Sequence, residues 1–445
     1  MSLARGRALE AEGRYGEARE AYLETLRHNP QNLETLVALG RLLSLTGYAS
    51  AAKTVLAQAV AWHPGSVDAR WHLANVLHDL TEYDAARAAY EEALRISPDD
   101  PRLHEGLSYV LTRLGDEPNA ERHREAAFRK HALSVNAYTG ASTPRKVLLL
   151  YAARGGNFYA HDFLDERIFR TYKAVVEYLD PKTPLPDYDV VLNAISDADR
   201  SASSLRDASL LLLANRRPVL NHPDAVLRTT RLDVAKRMRK VEGVVTPLAA
   251  RFEKAALRAG ARRTLEAAGL RFPLLLRAPG FHTGEHFLRV EEIEALPEAL
   301  DRLPGSEVLA LSFLDGRSAG TAFRKYRVMT IGGALYPLHL AISSDWKVHY
   351  FTSQTAAVPA YRDEEAAFLR DMRAALGAPA LRALEGIARE MGLDYGGIDF
   401  TIDGSGRVLL FEANATMIVR RVPSDDPRAP FIEAIFEAMR RLLGA

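Results

Sequence analysis

Residues 13–30 read GRYGEAREAYLETLRHNP, and the same pattern returns at 47–64 (GYASAAKTVLAQAVAWHP) and 81–98 (TEYDAARAAYEEALRISP). Each segment ends in a proline, and these prolines lie 34 residues apart. A fixed period of this length is typical of helical repeat architectures. Two further columns recur in the same frame, one of small residues (Ala18, Ala52, Ala86, Ala120) and one of large residues (Tyr22, Leu56, Tyr90, with Arg124 in the fourth copy).

Pairs of packed helices explain these columns. A small residue such as Ala18 lets two helices approach closely, and a large residue such as Tyr22 fills the groove between them. Gly13 and Gly47 stand where the first helix of a pair ends and the chain turns. The pattern resembles the tetratricopeptide repeat in about four copies, which predicts an all-α solenoid over residues 1–134. Such solenoids usually present a groove to a peptide or a partner protein; a spacer and a dimerisation surface are the alternatives.

The composition excludes several classes of protein. Lys and Arg number 58 against 57 Asp and Glu, a net charge of +1, which argues against nucleic-acid binding as the main function. The absence of cysteine excludes disulfides, thiolate metal sites and cysteine nucleophiles. Charged residues begin at once after Met1, unlike a signal peptide, and no apolar run is long enough for a membrane span. A cytoplasmic protein without membrane contact is expected.

An α/β region follows a predicted linker at residues 134–145, which are small, polar and aperiodic. Strands at 146–151, 188–193 and 217–221 alternate with helices, which favours a parallel sheet. Beyond residue 245 the sequence predicts a helix at 258–269 and a series of strands at 271–278, 287–290, 308–314, 326–330 and 334–341. The loop PGFHTGEH between two of these strands is of a kind that lies over phosphates with its backbone N–H groups turned inward.

The segment near the C-terminus carries the strongest chemical signal. Residues 396–402 (GGIDFTI) and 408–414 (VLLFEAN) predict two strands joined by a tight turn. The turn brings Asp399 near Glu412 and Asn414, and the latter two leave the same strand face because they are two residues apart. Two carboxylates and an amide oxygen form an oxygen-rich site that suits Mg²⁺. The alternative is an ordinary hairpin with solvated acids, but burial behind VLLF would make an unpaired Glu412 costly.

Taken in order, these segments resemble an ATP-grasp enzyme from about residue 146 to 440. The resemblance implies a multidomain chain in which the solenoid precedes an α/β (α+β) ATP-grasp fold. Its parts would be a pre-ATP-grasp subdomain at 145–240, a lid subdomain at 241–315 and a C-terminal subdomain with the metal site at 316–445. By the same resemblance, Asp399, Glu412 and Asn414 hold one or two Mg²⁺ ions that bridge the phosphates of ATP.

The resemblance also assigns nucleotide-binding and catalytic residues. His282 and Gly284 belong to the lid loop over the triphosphate, and adenine contacts would come from Ser312, Phe313 and Leu314. Arg327 matches the arginine that supports the transferred phosphoryl group and the acyl-phosphate. Lys347 matches a basic position that faces the substrate or the γ-phosphate.

The chain departs from the family in its lysines. Members usually carry one lysine just before the lid and another on the lid strand, but this chain has no lysine between Lys254 and Lys325. Arg277 is therefore expected to serve on the lid strand. For the earlier position Arg231 fits the spacing best, and Lys236 is the alternative. Arginine is a permanent bidentate cation that pairs well with phosphate, so ATP binding remains expected.

The function implied by the resemblance is an ATP-dependent ligase. It would form an amide or peptide bond between a carboxylate and an amine through an acyl-phosphate, and the fused solenoid favours a peptide or protein substrate. Candidate substrate contacts are His339, Ser344, His349 and Arg420. Two alternatives stay open, namely a phosphotransferase acting on a small molecule and a catalytically inactive nucleotide-binding or interaction protein. A homodimer also remains open.

Overall fold

The structure is a computed structural model that describes residues 2–180, 182–281, 284–317, 321–422 and 425–444. The backbone contacts divide the chain into two compact units. The first comprises Met1–Gly155, Leu164–Asp189 and Arg420–Ala429, and the second comprises Gly156–Phe163, Val190–Val419 and Pro430–Ala445. Among the described residues, none of the helices is both long enough and apolar enough to cross a membrane.

Helical hairpins begin the first unit, as the period of the sequence predicts. The helices are α1 (Ser2–Ala11), α2 (Tyr15–His28), α3 (Leu33–Leu45), α4 (Ala49–Trp62), α5 (Val67–Asp79), α6 (Tyr83–Ile96), α7 (Pro101–Arg113) and α8 (Glu117–Phe128). Asn32, Ser66 and Asp100 precede α3, α5 and α7, and each side chain accepts a hydrogen bond from a backbone N–H of the first turn. These caps satisfy donors that have no partner within a helix.

The turn inside each hairpin requires a left-handed backbone. Gly13, Gly47 and Gly115 have φ values of 76°, 86° and 81°, a region that glycine enters without steric cost. Thr81 occupies the same place in the third hairpin with a φ of 62°. A residue with a Cβ is disfavoured there, so this turn is a strained copy of the other three.

The recurrent columns form the core between the helices. Ala18, Ala52, Ala86 and Ala120 are completely buried. A Cβ added to Gly40 would stand 2.4 Å from Cγ of Leu56, which shows how closely α3 and α4 approach. Arg124 is 1% exposed where other copies have Tyr or Leu, and its Nη2 donates hydrogen bonds to Glu117 (2.7 Å) and Thr112 (2.8 Å). The core of the fourth hairpin therefore contains a buried arginine at this position.

Three strands continue the first unit: β1 (Leu133–Val135), β2 (Arg145–Tyr151) and β3 (Phe169–Val175). β3 pairs with β1 antiparallel and with β2 parallel. The predicted linker at 134–145 is therefore wrong at its start, because β1 is held by hydrogen bonds to β3. Phe128 of α8 packs with Ala153 and Val175 in one hydrophobic cluster. The helices and these strands thus share a core, whereas the sequence predicts a boundary between them.

The second unit begins with β4 (Val190–Asn193), α9 (Ala202–Leu211), β5 (Val219–Leu220), α10 (Pro223–Leu227) and α11 (Arg231–Arg237). β4 and β5 pair in parallel, as the alternation of strands and helices predicts. The sequence predicts one subdomain over 145–240, but the contacts divide this range between the two units. Ala153, just after β2, and Val175 of β3 share a core with Phe128 of α8.

Antiparallel sheets follow. β6 (Val244–Val245) precedes a sheet with the strand order β7-β10-β8-β9. Its strands are β7 (Ala249–Glu253), β8 (Leu274–Arg277), β9 (Phe287–Val290) and β10 (Glu307–Ser312), and it is covered by α12 (Lys254–Ala267) and α13 (Leu296–Arg302). β7 is absent from the strands that the sequence predicts. Leu257, Leu274 and Val308 lie in the core between these helices and strands.

The last sheet has the strand order β12-β11-β13-β14-β6. Its elements are β11 (Phe323–Ile331), β12 (Ala334–Ser343), α14 (Pro359–Arg370), α15 (Met372–Leu376), α16 (Ala378–Met391), β13 (Tyr395–Ile402), β14 (Val408–Asn414) and α17 (Ala429–Leu442). β11 to β14 pair antiparallel, and β14 pairs in parallel with β6. The chain thus combines a helical repeat region with a mixed α/β region of several sheets.

Candidate functional site

The β13–β14 hairpin brings the predicted metal-binding residues to neighbouring positions. Asp399 stands directly opposite Glu412, and Gly397 stands opposite Asn414. The register shifts immediately after Asp399, where Leu410 faces Phe400. A bulge of this kind re-aims side chains and is common next to functional sites.

Asp399 is a buried carboxylate held by two basic side chains. Its Oδ1 and Oδ2 accept hydrogen bonds from Nε (2.5 Å) and Nη2 (2.7 Å) of Arg327, and Nζ of Lys325 lies 3.4 Å from Oδ2. Burial alone would raise the pKa of the Asp399 carboxyl, but Arg327 and then Lys325 hold this pKa well below its usual range. Asp399 is therefore ionised at neutral pH.

Glu412 belongs to a second set of charges that is centred on Arg231. Nη2 of Arg231 donates to Glu412 at 3.1 Å, and its Nη1 donates to Asp199 at 3.2 Å. Thr230 caps the N-terminus of α11 by accepting a hydrogen bond from the backbone N–H of Asp233. The cap fixes the start of the helix on which Arg231 is the first residue.

Three charged residues of this site are missing from the sequence prediction. Asp197, Asp199 and Lys325 were not among the predicted site residues. Asp197 is 5% exposed and its Oδ1 accepts hydrogen bonds from the backbone N–H groups of Asp199 (3.0 Å) and Arg200 (3.1 Å). The signal that could have revealed Asp197 and Asp199 is their position shortly after β4, since side chains beyond strand ends often form sites in α/β proteins.

Arg277 lies at the end of β8 and is largely buried. Burial and then the charge of Arg231 lower the pKa of the Arg277 guanidinium to about 10, although Glu412, Asp199 and Asp197 act in the opposite direction. Its Nε donates a hydrogen bond to the backbone oxygen of Phe281 at 3.1 Å. Arg277 and Arg231 thus interact electrostatically with the same three carboxylates.

The loop between β8 and β9 lies against the segment after β12. Gly284 has a φ of 77°, and a Cβ added there would stand 2.7 Å from Cε of Lys347. The rings of Phe287 and Trp346 are 5.4 Å apart, edge to face. Gly284 and Lys347, which the sequence assigns to the triphosphate, are therefore neighbours. His282 lies outside the described residues.

The predicted adenine-binding segment follows the end of β10. Oγ of Ser312 accepts a hydrogen bond from the backbone N–H of Leu248 (2.9 Å), whose oxygen accepts one from the N–H of Ser312 (2.8 Å). The guanidinium of Arg289 lies 4.1 Å from the centre of the Phe313 ring. Leu314 is partly exposed in the strand-free segment that follows.

The predicted substrate residues are dispersed. His339 faces Arg327 across β11 and β12, and its ring lies 4.4 Å from that of Tyr350. Burial, followed by the charges of Lys325 and Arg327, lowers the pKa of His349. Both histidines therefore lie close to the cluster formed by Asp399, Arg327 and Lys325.

Three other predicted residues lie elsewhere. Ser344 is exposed, and its backbone N–H donates to Oε1 of Gln354 at 3.1 Å. Lys236 is exposed in the last turn of α11, and no ion pair within the described ranges joins it to the site carboxylates. Arg420 belongs to the first unit, where it lies 3.7 Å from Asp79 at the end of α5. Of the two predicted alternatives before the lid, Arg231 is the one that forms ion pairs with Asp199 and Glu412.

Two of the three predicted metal ligands offer oxygen donors at facing positions. They are the carboxylates of Asp399 and Glu412, and carboxylate oxygens are the ligands that Mg²⁺ prefers. Oδ1 of Asn414 accepts hydrogen bonds from the backbone N–H (3.0 Å) and the hydroxyl (2.7 Å) of Thr416, so its oxygen already has partners. Within the part of the chain that the structure describes, no group of three His, Asp or Glu side chains is arranged to hold a metal ion.

The first unit contains a cavity of about 240 Å³ on the helical hairpins. Its lining residues come from α5, α6 and α7: Trp71, Asn75, His78, Tyr90, Arg102, Glu105, Gly106 and Tyr109. The guanidinium of Arg102 lies 4.9 Å from the centre of the Trp71 ring, a cation–π contact. The cavity therefore offers an aromatic surface beside both positive and negative side chains.

A family model described as tetratricopeptide repeat matches residues 9–76 and 47–108. The N-terminal region is a tetratricopeptide-repeat domain. The chain is 29% identical over 122 residues to the TPR repeat-containing protein YpiA of Bacillus subtilis (strain 168), a match that covers 27% of this chain and 29% of that protein. It is 33% identical over 99 residues to human tetratricopeptide repeat protein 7A, covering 22% and 12% of the two chains.

The chain spans less than a third of the length of these curated relatives. Among solved structures, a crystal structure of MamA shares 24% identity, covering 28% of this chain and 72% of that chain with a TM-score of 0.27. MamA from Desulfovibrio magneticus RS-1 shares 21% identity, with the same coverage and the same TM-score. The tetratricopeptide-repeat domain is the part of the chain that the family model matches.

Proposed function

We propose that the second unit is an ATP-dependent ligase that joins a carboxylate to an amine, and that the tetratricopeptide-repeat domain recruits its peptide or protein substrate. One observation carries the proposal. Asp399 and Glu412 face each other on adjacent strands, and each is held by an arginine from another element, Arg327 and Arg231 respectively. Paired acids and bases of this kind suit a site for a metal-bound polyphosphate.

Nucleotide binding would rest on the arginines and the loop after β8. Arg231 and Arg277 present guanidinium groups, which pair with phosphate through two parallel hydrogen bonds. Gly284 has no side chain, so its backbone N–H is able to approach a phosphate closely. Its proximity to Lys347 would place an ammonium group near the same phosphates. Ser312, Phe313 and Leu314 would contact the base.

Asp399 and Glu412 would hold Mg²⁺, with Asn414 beside them. When bound, this ion neutralises charge on the phosphates and on the departing ADP. The two acids would exchange their arginine partners for the ion, which leaves Arg327 available for the substrate. The ionised state of Asp399 at neutral pH, supported by Arg327 and Lys325, fits this role.

The chemistry would proceed in two displacements. A carboxylate oxygen of the acid substrate attacks the γ-phosphorus of ATP, the bond to the β-phosphate oxygen breaks, and ADP leaves. The amine nitrogen then attacks the acyl carbon, phosphate leaves, and the nitrogen loses a proton to solvent. Arg327 would stabilise the negative charge that develops on the phosphoryl group and on the tetrahedral intermediate. No nucleophile from the protein is required.

The tetratricopeptide-repeat domain would supply the macromolecular substrate. Binding of a peptide in the cavity beside Trp71 and Arg102 would raise its local concentration, so a weak contact would be enough. The aromatic and charged lining supports a peptide ligand, because aromatic side chains and arginine dominate the binding energy of protein interfaces.

One observation favours a second candidate, a nucleotide-binding or interaction protein without turnover. Both oxygens of Asp399 are engaged by Arg327. An acid that never exchanges this partner would not bind a metal ion. Mg²⁺-dependent turnover of ATP would therefore separate the two candidates.

The test of the ligase proposal is an assay of products. The full chain is incubated with ATP, Mg²⁺, a pool of amino acids and acidic peptides, and hydroxylamine, which converts an acyl-phosphate to a hydroxamate. We expect ADP and phosphate in equal amounts, matched by the sum of hydroxamate and amide, and none of these products with Glu412→Gln. A phosphorylated acceptor formed without free phosphate would instead identify a phosphotransferase, and the absence of ADP would favour the interaction protein.

A further inference from the structure

The charged residues of the proposed site fall into two groups with opposite imbalances. The first group contains three carboxylates and two arginines: Asp197, Asp199, Glu412, Arg231 and Arg277. The second group contains one carboxylate, two lysines and one arginine: Asp399, Lys325, Lys347 and Arg327. The formal charge is −1 for the first group, three acids against two bases, and +2 for the second, three bases against one acid. Glu412 adjoins both groups, since its charge also acts on Arg327.

The geometry of β11 concentrates the positive charge. Lys325 and Arg327 are two residues apart, so their side chains leave the same face of the strand. Both reach Asp399 on β13, and the side chains of Lys325 and Arg327 are only 16% and 22% exposed. A cation that is removed from water is costly unless it finds a counter-ion. Asp399 is the carboxylate that both contact, and Glu412 also acts on Arg327.

His349 and His339 mark the edge of the same basic group. Burial and then the charges of Lys325, Arg327 and Lys347 lower the pKa of the His349 ring, and the carboxylate that opposes them is Asp399. His339 lies opposite Arg327 and also acts on Asp399. Glu412, the next carboxylate, already has Arg231 at 3.1 Å. The described residues therefore leave this side of the site with more positive than negative charge.

We infer that the acid substrate of the proposed ligase is a dicarboxylic acid, whose second carboxylate is bound by Lys325 beside His349. The inference rests on the proposed function. The first, acid-rich group is suited to the cationic metal, and the second, base-rich group is suited to an anion. One carboxylate would be activated next to Arg327, and the other would meet the ammonium group of Lys325. A peptide that ends in aspartate or glutamate is a member of this substrate class, because its last residue carries two free carboxylates.

Binding of simple acids to the full chain tests this inference without requiring turnover. Calorimetric titrations would compare glutarate with valerate, two acids of five carbons that differ by one carboxylate. We expect glutarate to bind at least ten times more tightly to the wild-type protein. We expect the preference to vanish in Lys325→Met and to persist in Lys325→Arg, which keeps the charge. Lys240→Met removes an exposed lysine of the same unit that is not a candidate site residue, and it should leave the preference unchanged.

Several results would overturn the inference. They are equal affinities for the two acids, no binding of either acid, or a preference for glutarate that survives in Lys325→Met. Circular dichroism of each variant excludes loss of the fold as the cause, and Lys325→Arg supplies a second check. ATP binding is measured in parallel. Normal ATP binding with no preference for glutarate would contradict the dicarboxylate inference alone, whereas loss of ATP binding in the wild type would contradict the proposed function.

Discussion

The tetratricopeptide-repeat domain and the site around Asp399 are built on contacts of different range. In the repeats, partners lie close in sequence: the hydroxyl of Tyr22 donates to Glu10, 12 residues away. In the second unit, Arg231 meets Glu412 across 181 residues, and Arg327 meets Asp399 across 72. Local contacts repeat with the sequence and are visible in it, while a site assembled from distant strands leaves no periodic signal.

The largest effect is expected at Asp399. Asp399→Asn removes the charge that holds Arg327 and Lys325, and breaking a buried pair by removing one partner costs about 3 kcal/mol. We expect a lower free energy of unfolding in urea and complete loss of ATP turnover. Arg327→Gln/Asp399→Asn should recover part of the stability, because the buried guanidinium that lost its counter-ion is removed as well, and none of the turnover. A stable and active Asp399→Asn variant would show that the cluster is not a binding site.

A smaller effect, confined to the first unit, is expected at Trp71. Trp71→Ala removes the ring that lines the cavity and contacts Arg102. We expect it to lower the affinity for peptides selected from a displayed random library by about tenfold, as for an interface hot spot, with ATP binding unchanged. Trp62→Ala is the matched control, because Trp62 is 38% exposed and does not line the cavity. Equal losses in both variants would place the peptide site elsewhere.

Two buried threonine hydroxyl groups allow a comparison, one without and one with a hydrogen-bond partner among the described residues. Oγ1 of Thr401 is buried without a hydrogen-bond partner among the described residues, and Thr401 lies two residues from Asp399. Thr401→Val should raise the free energy of unfolding by about 1 kcal/mol, because an unsatisfied buried polar group is removed. Thr355→Val should do the reverse, since Oγ1 of Thr355 accepts a hydrogen bond from the N–H of Ile342 at 2.8 Å. Destabilisation of both variants would mean that Thr401 has a partner after all.

The smallest effect is expected in the turn of the third hairpin. Thr81→Gly relieves a left-handed backbone that costs a residue with a Cβ about 1 kcal/mol. Part of this gain is offset by the greater freedom of glycine in the unfolded chain, so we expect a stabilisation of about 0.5 kcal/mol. Gly47→Ala makes the opposite change in the second hairpin and should destabilise it. Urea midpoints of both variants would measure the difference, and destabilisation by Thr81→Gly would contradict the strain.

The repeat domain could be predicted from the sequence because its period fixes both the helices and their packing. The prolines, the alanine column and the turn glycines all lie at intervals of 34 residues, and the structure has a helical hairpin in each interval. The strand β1 and its pairing with β3 could not be predicted, because Leu133–Val135 is too short for an alternating pattern.

In the second unit, the β13–β14 hairpin could be predicted from its alternation and its turn, and with it the proximity of Asp399 and Glu412. The proximity of Lys325 to Asp399 could not be predicted, because it depends on the register of β11 beside β13, which no local pattern specifies. The sequence also could not show that the repeats share a core with the strands that follow them. Phe128 shares a core with Ala153 and Val175, and Nη2 of Arg154 lies 2.7 Å from Glu121. Point variants are therefore better tests of the repeats than deletion of residues 1–134.

Calorimetric titration of ATP into the full chain, with and without Mg²⁺, tests the central claim most directly. Wild type, Glu412→Gln and Glu385→Gln would be compared, the last being a matched loss of an exposed glutamate on α16. The proposed site predicts Mg²⁺-dependent binding that Glu412→Gln weakens at least tenfold and Glu385→Gln leaves unchanged. Absence of binding to the wild type, or equal binding to all three proteins, would contradict it.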